Sequence, residues 1–269
     1  MIYLILIVVF IIFVTVIMSL NRDDLLPHTA DEYLSPTPLD ILFETIDSTP
    51  DTPVGFGYKM SWLAIKSSDA HAVVETLVID HLQPANWQTG ITAAYHGHTF
   101  ISPPVHGWVL VASYHLPELG NDAEPQRFTP LLAGLSQKFG EVQYFGTQRV
   151  VGYHAWSRFL NGTETRAFAY LGERGEILAD RGEKTDAEIQ LGYEYFDPDS
   201  PDADSDAHWE REDLCYPDEE HVMEIAGLWG VNPSHLEEQK LPESAGWIGK
   251  LGAVPHKQSS DNTTSPTAE

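Results

Sequence analysis

The chain of 269 residues is 42% hydrophobic and 11% aromatic, so it can bury one sizeable core and is expected to fold as a single domain. Its 40 Asp and Glu residues against 15 Lys and Arg give a formal net charge of -25. A field this negative repels phosphate backbones, which excludes nucleic acid as an expected partner.

Residues 1–20 form an apolar run without a charged side chain. As a helix, the run is about 30 Å long and matches the hydrocarbon core of a bilayer. A cleaved signal peptide is the alternative, but such a peptide begins with a basic region, and no Lys or Arg precedes this run. The sequence therefore predicts a single-pass transmembrane anchor. Arg22, the only basic residue close to either end, slightly favours a cytoplasmic position for the domain.

Three further segments follow the predicted anchor. Residues 21–54 are interrupted by Pro27, Pro36, Pro38, Pro50 and Pro53, which predicts a Pro-rich linker. Residues 55–236 are expected to form the domain. Residues 237–269 end in a stretch rich in Ser, Thr and Asn, which predicts a flexible C-terminal tail.

The domain is expected to begin with a strand over residues 58–65 and a helix after it. Ser68 can cap this helix, and apolar residues follow at the spacing of a buried helical stripe, namely Val73, Val74, Leu77, Val78 and Leu82. Two apolar runs, residues 99–102 and 108–113, then predict a pair of strands.

The clearest helix signal covers residues 129–140. Thr129 can cap the helix, Pro130 suits its first turn, and Gly140 can end it in a left-handed conformation. Leu131, Leu135 and Phe139 share one face of it.

Residues 142–178 predict an antiparallel meander in which Asn161-Gly162 forms a two-residue turn. With this turn, Trp156 would pair with Ala167 across the hairpin and lie on a packed face. A last helix is expected to begin at Pro217-Asp218 and to end at Gly230. The predicted fold class is α+β, with a mostly antiparallel sheet and three packed helices, preceded by one transmembrane helix.

Several enzyme signatures are missing from the sequence. Neither of the glycine-rich phosphate-binding motifs follows a predicted strand, and the G-x-S-x-G and H-E-x-x-H patterns are absent. Nucleotide binding and the two most recognisable hydrolase classes therefore lack support.

The histidines are the strongest candidates for chemistry. His96 and His98 alternate along the chain and His106 follows closely, so the three could face one metal ion, but surface or loop positions are the favoured interpretation. His154 lies inside a predicted strand, where a hydrogen-bonded core histidine is more common than a general base. No catalytic, metal or cofactor-binding residue is assigned.

Two other candidates are also interpreted structurally. Cys215 is the only cysteine, which excludes an intramolecular disulfide, and it is expected to be a small buried side chain. Asp202, Asp204 and Asp206 are spaced like the first ligands of a calcium loop, but Ala207 occupies the glycine position of such a loop. A solvated acidic loop is the expected structure there.

Four stretches resemble a family of uncharacterised bacterial proteins: residues 145–151 (FGTQRVV), 153–156 (YHAW), 169–173 (AYLGE) and 229–234 (WGVNPS). The resemblance covers about residues 56–236. These proteins are similar in character to small acidic immunity or interaction proteins, and the resemblance implies the organisation of the domain but no activity, ligand or catalytic residue.

The acidity, the aromatic residues of the predicted sheet and the missing motifs together favour a membrane-anchored binding domain. Its expected partner is a protein, for which the acidity favours a basic one, and its expected role is immunity-like or regulatory. The alternative hypothesis is a hydrolase that combines one of the four named histidines with an Asp or Glu.

Overall fold

The computed structural model of the protein describes residues 46–121, 127–172, 175–192, 205 and 216–252. In chain order, its elements are β1 (Ser61–Lys66), α1 (Ala70–Thr76), β2 (Ile79–Asn86), α2 (Trp87–Tyr95), β3 (Thr99–Ile101), β4 (Trp108–Ser113), α3 (Thr129–Phe139), β5 (Glu141–Gln148), β6 (Tyr153–Leu160), β7 (Thr163–Leu171), β8 (Glu176–Arg181), α4 (Asp186–Leu191), α5 (Glu219–Trp229), a 3-10 helix (Pro233–His235) and β9 (Ala245–Leu251).

The strands form one nine-stranded sheet in the order β2-β9-β3-β4-β1-β5-β6-β7-β8. Every neighbouring pair in it is antiparallel. The predicted mixed α+β class with a large antiparallel sheet is thereby confirmed. The described residues contain five α-helices rather than the three expected, and the two additional ones are α2, of nine residues, and α4, of six.

Helices cover both faces of the sheet, and the central strand β4 is buried along its whole length. On one face, Leu63 and Val111 pack with Val73 of α1 and Leu132 of α3. The opposite face is built on aromatic residues, because Trp62 stacks on Phe145 at 5.1 Å, and Phe145 lies 5.6 Å from the ring of Trp229 in α5. The domain therefore has three layers, with the sheet in the middle.

The elements with complete start and stop signals form where they are expected. The helix α3 spans Thr129–Phe139 and ends at Gly140, whose φ is 85°. Its N-cap is Phe128 rather than Thr129, and this residue makes no capping hydrogen bond with its side chain. The helix α5 is capped by Asp218 and ends at Gly230. The expected strand pair corresponds to β3 and β4, in which Ile101 pairs with Val111.

The first predicted helix is shorter than its apolar spacing suggests. Asp69, not Ser68, caps α1, and the helix ends at Thr76, after which Leu77 is extended. Val78 is half exposed, and Leu82 belongs to the edge strand β2. The helical spacing of apolar residues thus extends beyond the end of α1 only by coincidence, because Leu82 belongs to the strand β2.

The β6–β7 hairpin has the predicted turn but a different register. Asn161 and Gly162 have φ values of 48° and 88°, as a tight turn of this kind requires. A bulge then places an additional residue in β7, so Trp156 pairs with Phe168 instead of Ala167. Trp156 is fully buried, as predicted, and its ring lies 4.7 Å from that of Phe168.

The described structure extends beyond both predicted boundaries of the domain. The segment predicted as a flexible tail, 237–269, contains β9, which lies between β2 and β3. The segment predicted as a linker, 21–54, contains Asp51, whose backbone pairs with Ser244 and whose carboxylate accepts hydrogen bonds from the first two amides of α2, those of Trp87 and Gln88. These contacts add residues at both ends of the predicted domain.

The predicted anchor, residues 1–20, lies outside the described residues. Among the residues that the structure does describe, no helix is both long and apolar enough to cross a bilayer.

Candidate functional site

The two exposed candidate histidines, His96 and His106, lie in different parts of the fold. His96 follows α2, and its Nδ1 lies 2.8 Å from the carbonyl oxygen of Thr92. His106 lies between β3 and β4, and its Nε2 lies 2.7 Å from Oε1 of Gln239. Each imidazole ring is thus held by one contact, His96 with the helix that it follows and His106 with a residue far away in the sequence. His98, at the start of β3, is half-buried.

His154 lies on β6 and is only 5% exposed. Burial lowers the pKa of His154 to about 4, although Asp218 raises it and His221 lowers it further. Its Nδ1 is buried and accepts or donates no hydrogen bond among the described residues. This ring is therefore neutral at physiological pH.

The structure does not describe the remaining candidate residues, which are Cys215, Asp202, Asp204 and Asp206. Within the described ranges, no group of three or more His, Cys, Asp or Glu side chains is arranged to hold a metal ion.

A contiguous surface joins the start of the domain to α2 and α5. The hydroxyl of Tyr95 donates to the carbonyl oxygen of Tyr58 at 2.9 Å, and the hydroxyl of Tyr58 donates to Glu220 at 2.9 Å. Beside them, the amide of Gly55 donates to Glu237 at 3.0 Å. Tyr58, Tyr95, Glu219, Glu220 and Glu237 are named the acidic–tyrosine surface.

The charges of this surface are mainly negative. Arg149 lies 3.2 Å from Glu219, which is its ion-pair partner. Burial and the hydrogen bond to Glu220 raise the pKa of Tyr58, so its phenol stays protonated as a donor. Glu224 and Leu228 continue from Glu220 at four-residue spacing along α5, and all three are exposed.

A second feature is a cleft of about 310 Å³ at one end of the central strands. β1 and β6 begin there, and β4 and β5 end there, as the pairing of Ser61 with Ser113 and of Gln148 with Tyr153 shows. We name it the strand-end cleft. The residues that line it include Lys59, Ser61, Tyr114, Glu118, Gln148 and Tyr153.

The hydroxyl-bearing side chains of Ser61 and Tyr153 form the floor of the strand-end cleft, and that of Tyr144 lies behind them. The hydroxyl of Tyr144 lies 3.4 Å from that of Ser61 and 3.3 Å from that of Tyr153. The amide of Leu119 donates to the Tyr153 hydroxyl at 2.7 Å. Burial, followed by the contact with Tyr144, raises the pKa of Tyr153 well above its ordinary value, so this phenol stays neutral.

Ser61 is not arranged as a nucleophile. Its hydroxyl contacts Tyr144, and no described histidine lies within hydrogen-bond distance of it. A serine nucleophile needs an adjacent base that takes its proton. The floor can therefore bind polar groups, but it lacks the serine–base pair of a hydrolase.

Comparisons with known proteins add no assignment: the chain matches no protein-family model, and no curated protein or solved structure is significantly similar to it.

Proposed function

We propose that this protein is a membrane-anchored interaction domain whose acidic–tyrosine surface binds a basic protein partner, in an immunity-like or regulatory role. The observation that carries the proposal is the hydrogen-bonded continuity of Tyr95, Tyr58 and Glu220, with Glu237 beside them. The anchor belongs to the proposal through the apolar run of residues 1–20.

The chemistry of this surface suits protein recognition. Tyrosines provide large contact areas at low entropic cost and are enriched among residues that dominate binding energy. Tyr95 is 37% exposed, and its hydroxyl is already fixed on Tyr58, so little rotational freedom remains to be lost on binding.

The surrounding charges favour a basic partner. Glu220, Glu224 and Glu237 are all exposed, and Glu224 follows Glu220 by about one turn of α5. Carboxylates at the rim of an interface accelerate association with a cationic protein and discriminate against acidic ones. The net charge of -25 adds to this steering at long range.

The test is a pull-down with the tagged full chain in detergent, from extracts of the cells that produce it. The surface variant carries Glu220→Lys and Glu237→Lys. Its control carries Glu75→Lys and Glu176→Lys, which change the net charge equally at exposed positions on α1 and β8. Unfolding midpoints establish that both variants are folded.

We expect the unmodified chain and the control to capture the same basic protein, and the surface variant to lose at least about tenfold in affinity for it, equivalent to the ~1.4 kcal/mol of a modest interface contact. Capture should weaken as salt is raised. Equal capture by the surface variant and the control, a partner that is not basic, or no captured protein at all would each contradict the proposal.

A further inference from the structure

A glycine lies against Ser61 and Tyr153, the two residues that form the floor of the strand-end cleft. Gly146 has no positive φ, so its backbone does not require glycine. A Cβ at this position would lie 2.6 Å from the Tyr144 hydroxyl, 3.0 Å from the ring of Tyr153 and 3.1 Å from Oγ of Ser61. Glycine is thus needed because three hydroxyl-bearing side chains converge over it.

The hydroxyl of Ser61 retains unused hydrogen-bonding capacity. A hydroxyl can donate once and accept twice. Ser61 has one contact among the described residues, at the long distance of 3.4 Å from Tyr144. Since water or a ligand is the usual partner of such a group, the floor is suited to bind a polar molecule.

The wall adds an aromatic ring and an amide. Tyr114 is 46% exposed, and its hydroxyl accepts a hydrogen bond from Nε2 of Gln148 at 3.1 Å. The ring of His115 lies 5.4 Å from that of Tyr114 in an edge-on arrangement. An exposed ring that is held in place in this way can pack against the apolar face of a ligand.

The formal charges around the cleft are of opposite sign. Lys59 and Glu118 both line it and both are exposed, so neither sign of ligand charge is favoured overall. An apolar ligand would leave the Ser61 hydroxyl and Oε1 of Gln148 without hydrogen-bond partners, which is costly. The ligand should therefore be neutral and rich in hydroxyl groups.

We propose that the strand-end cleft is a carbohydrate-binding site for a single neutral sugar ring. The sugar hydroxyls exchange hydrogen bonds with Ser61 and with Gln148, whose Oε1 has no hydrogen-bond partner among the described residues, while one face of the ring packs on Tyr114. A volume of about 310 Å³ lies at the small end of ligand sites, which suits a single ring.

The test is saturation-transfer NMR on the full chain, purified in a detergent that carries no sugar headgroup. The probes are glucose, galactose, N-acetylglucosamine and their methyl glycosides, with glycine as a zwitterionic comparison. Free sugars represent a soluble ligand, and the methyl glycosides represent a sugar at the end of a glycan. We expect transfer to at least one sugar or glycoside and none to glycine.

Two variants locate the binding. Gly146→Ala displaces the floor residues Ser61 and Tyr153, which its Cβ would approach to 3.1 and 3.0 Å, and Gln148→Ala removes a wall amide at a half-buried position where folding is less at risk. Both should bind the sugar about tenfold more weakly, the equivalent of one lost hydrogen bond. Glu237→Gln is the control on the acidic–tyrosine surface and should bind normally.

Three results would overturn the assignment: no transfer to any of the sugars or glycosides, binding of glycine in preference to them, or undiminished sugar binding by folded Gln148→Ala. The sugar assay and the protein pull-down use different variants, so failure of one proposal is distinguishable from failure of the other.

Discussion

Arg166 is a charged residue with none of its side chain exposed. Its Nε and Nη2 donate to the carboxylate of Glu188, and its Nη1 donates to Asp180 and to the carbonyl oxygens of Arg181 and Gly182. Glu188 is itself fixed in the capping box of α4 by Thr185. One guanidinium therefore ties β7 to β8 and to α4.

Removing the carboxylate of Glu188 should be strongly destabilising. Burial raises the pKa of Glu188, but the hydrogen bonds from Arg166 and Thr185 outweigh this and lower it below its ordinary value. Glu188→Gln leaves the buried Arg166 charge poorly compensated, and we expect a loss of about 3 to 5 kcal/mol in unfolding free energy. Urea titration measures it.

A matched control is Glu164→Gln, which breaks the pair between Glu164 and Arg181 at 2.8 Å. Arg181 is 42% exposed, so water replaces much of this interaction and the expected loss is below about 1 kcal/mol. Similar losses for the two variants would show that the buried pair contributes no more than a surface pair.

His154 should make stability dependent on pH between 6.5 and about 4. In this range the unfolded chain binds a proton at the imidazole, whereas burial keeps the folded side chain neutral. Lowering the pH therefore removes stability, by about 3 kcal/mol over the whole interval at ~1.4 kcal/mol per pH unit.

The comparison for this pH effect is His154→Gln, studied by urea unfolding at several pH values. The variant should show a shallower fall in unfolding free energy as the pH is lowered. An unchanged slope would mean that His154 has the same pKa in the folded and unfolded chains.

At the scale of elements, the bulge in β7 decides the register of the hairpin. Leu160 pairs with Thr163 and Phe159 with Glu164, as a two-residue turn requires, but Arg158 then pairs with Arg166. Thr165 is the additional residue, and its hydroxyl donates to the carbonyl oxygen of Arg158 at 3.0 Å. The turn was predictable from Asn161-Gly162, whereas a single inserted residue leaves no comparable mark in the sequence.

Deleting Thr165 should therefore preserve every other pair of the hairpin. Glu164 and Arg166 would become neighbours and keep their present faces, so we expect a cost of no more than about 2 kcal/mol. Deleting Ala167 instead would turn the remainder of β7 over and force Phe168 into the opposite, already packed face, where Ala169 lies now. That variant should not fold cooperatively in a urea titration followed by circular dichroism, and equal tolerance of the two deletions would refute this account of the bulge.

The strength of the local sequence signals also decides which helices and strands could be predicted from the sequence. α3 and α5 have residues suited to both ends, and both form as expected. β9 was missed because Gly246 and Gly249 weaken its strand signal. In the sheet these glycines are required: a Cβ on Gly246 would lie 2.2 Å from the carbonyl oxygen of Ile101, and one on Gly249 would lie 2.7 Å from that of Asp80.

At the scale of the whole molecule, the candidate surfaces were not predictable because the chain assembles them from distant segments. Tyr58, Tyr95, Glu220 and Glu237 are spread over most of the domain and meet only through its three-layer packing. The histidines stood out by their density in the sequence. The density of histidines along the chain is a poor guide to a functional site when antiparallel strands bring distant segments together.

The sheet depends on its last strand for continuity. β9 lies between β2 and β3, so it joins the first edge of the sheet to the centre. Its Ile248 is buried, pairing with Gln83 on one side and Phe100 on the other. Without this strand, the backbone hydrogen bonds of β2 and β3 on that side would lose their partners.

We therefore expect a sharp difference between two truncated chains. A chain that ends at Gly252 keeps β9, and one that ends at Ser244 lacks it. Relative to the longer chain, the shorter one should lose cooperative unfolding, because β2 is detached and the aromatic face around Phe100 and Trp87 is opened to water. Urea unfolding and amide hydrogen exchange measure the difference, with loss of protection expected first in β2 and β3. If the shorter chain unfolded cooperatively with the same midpoint as the longer one, β9 would be a dispensable addition to the sheet, and the domain would end near residue 236 as the sequence first suggested.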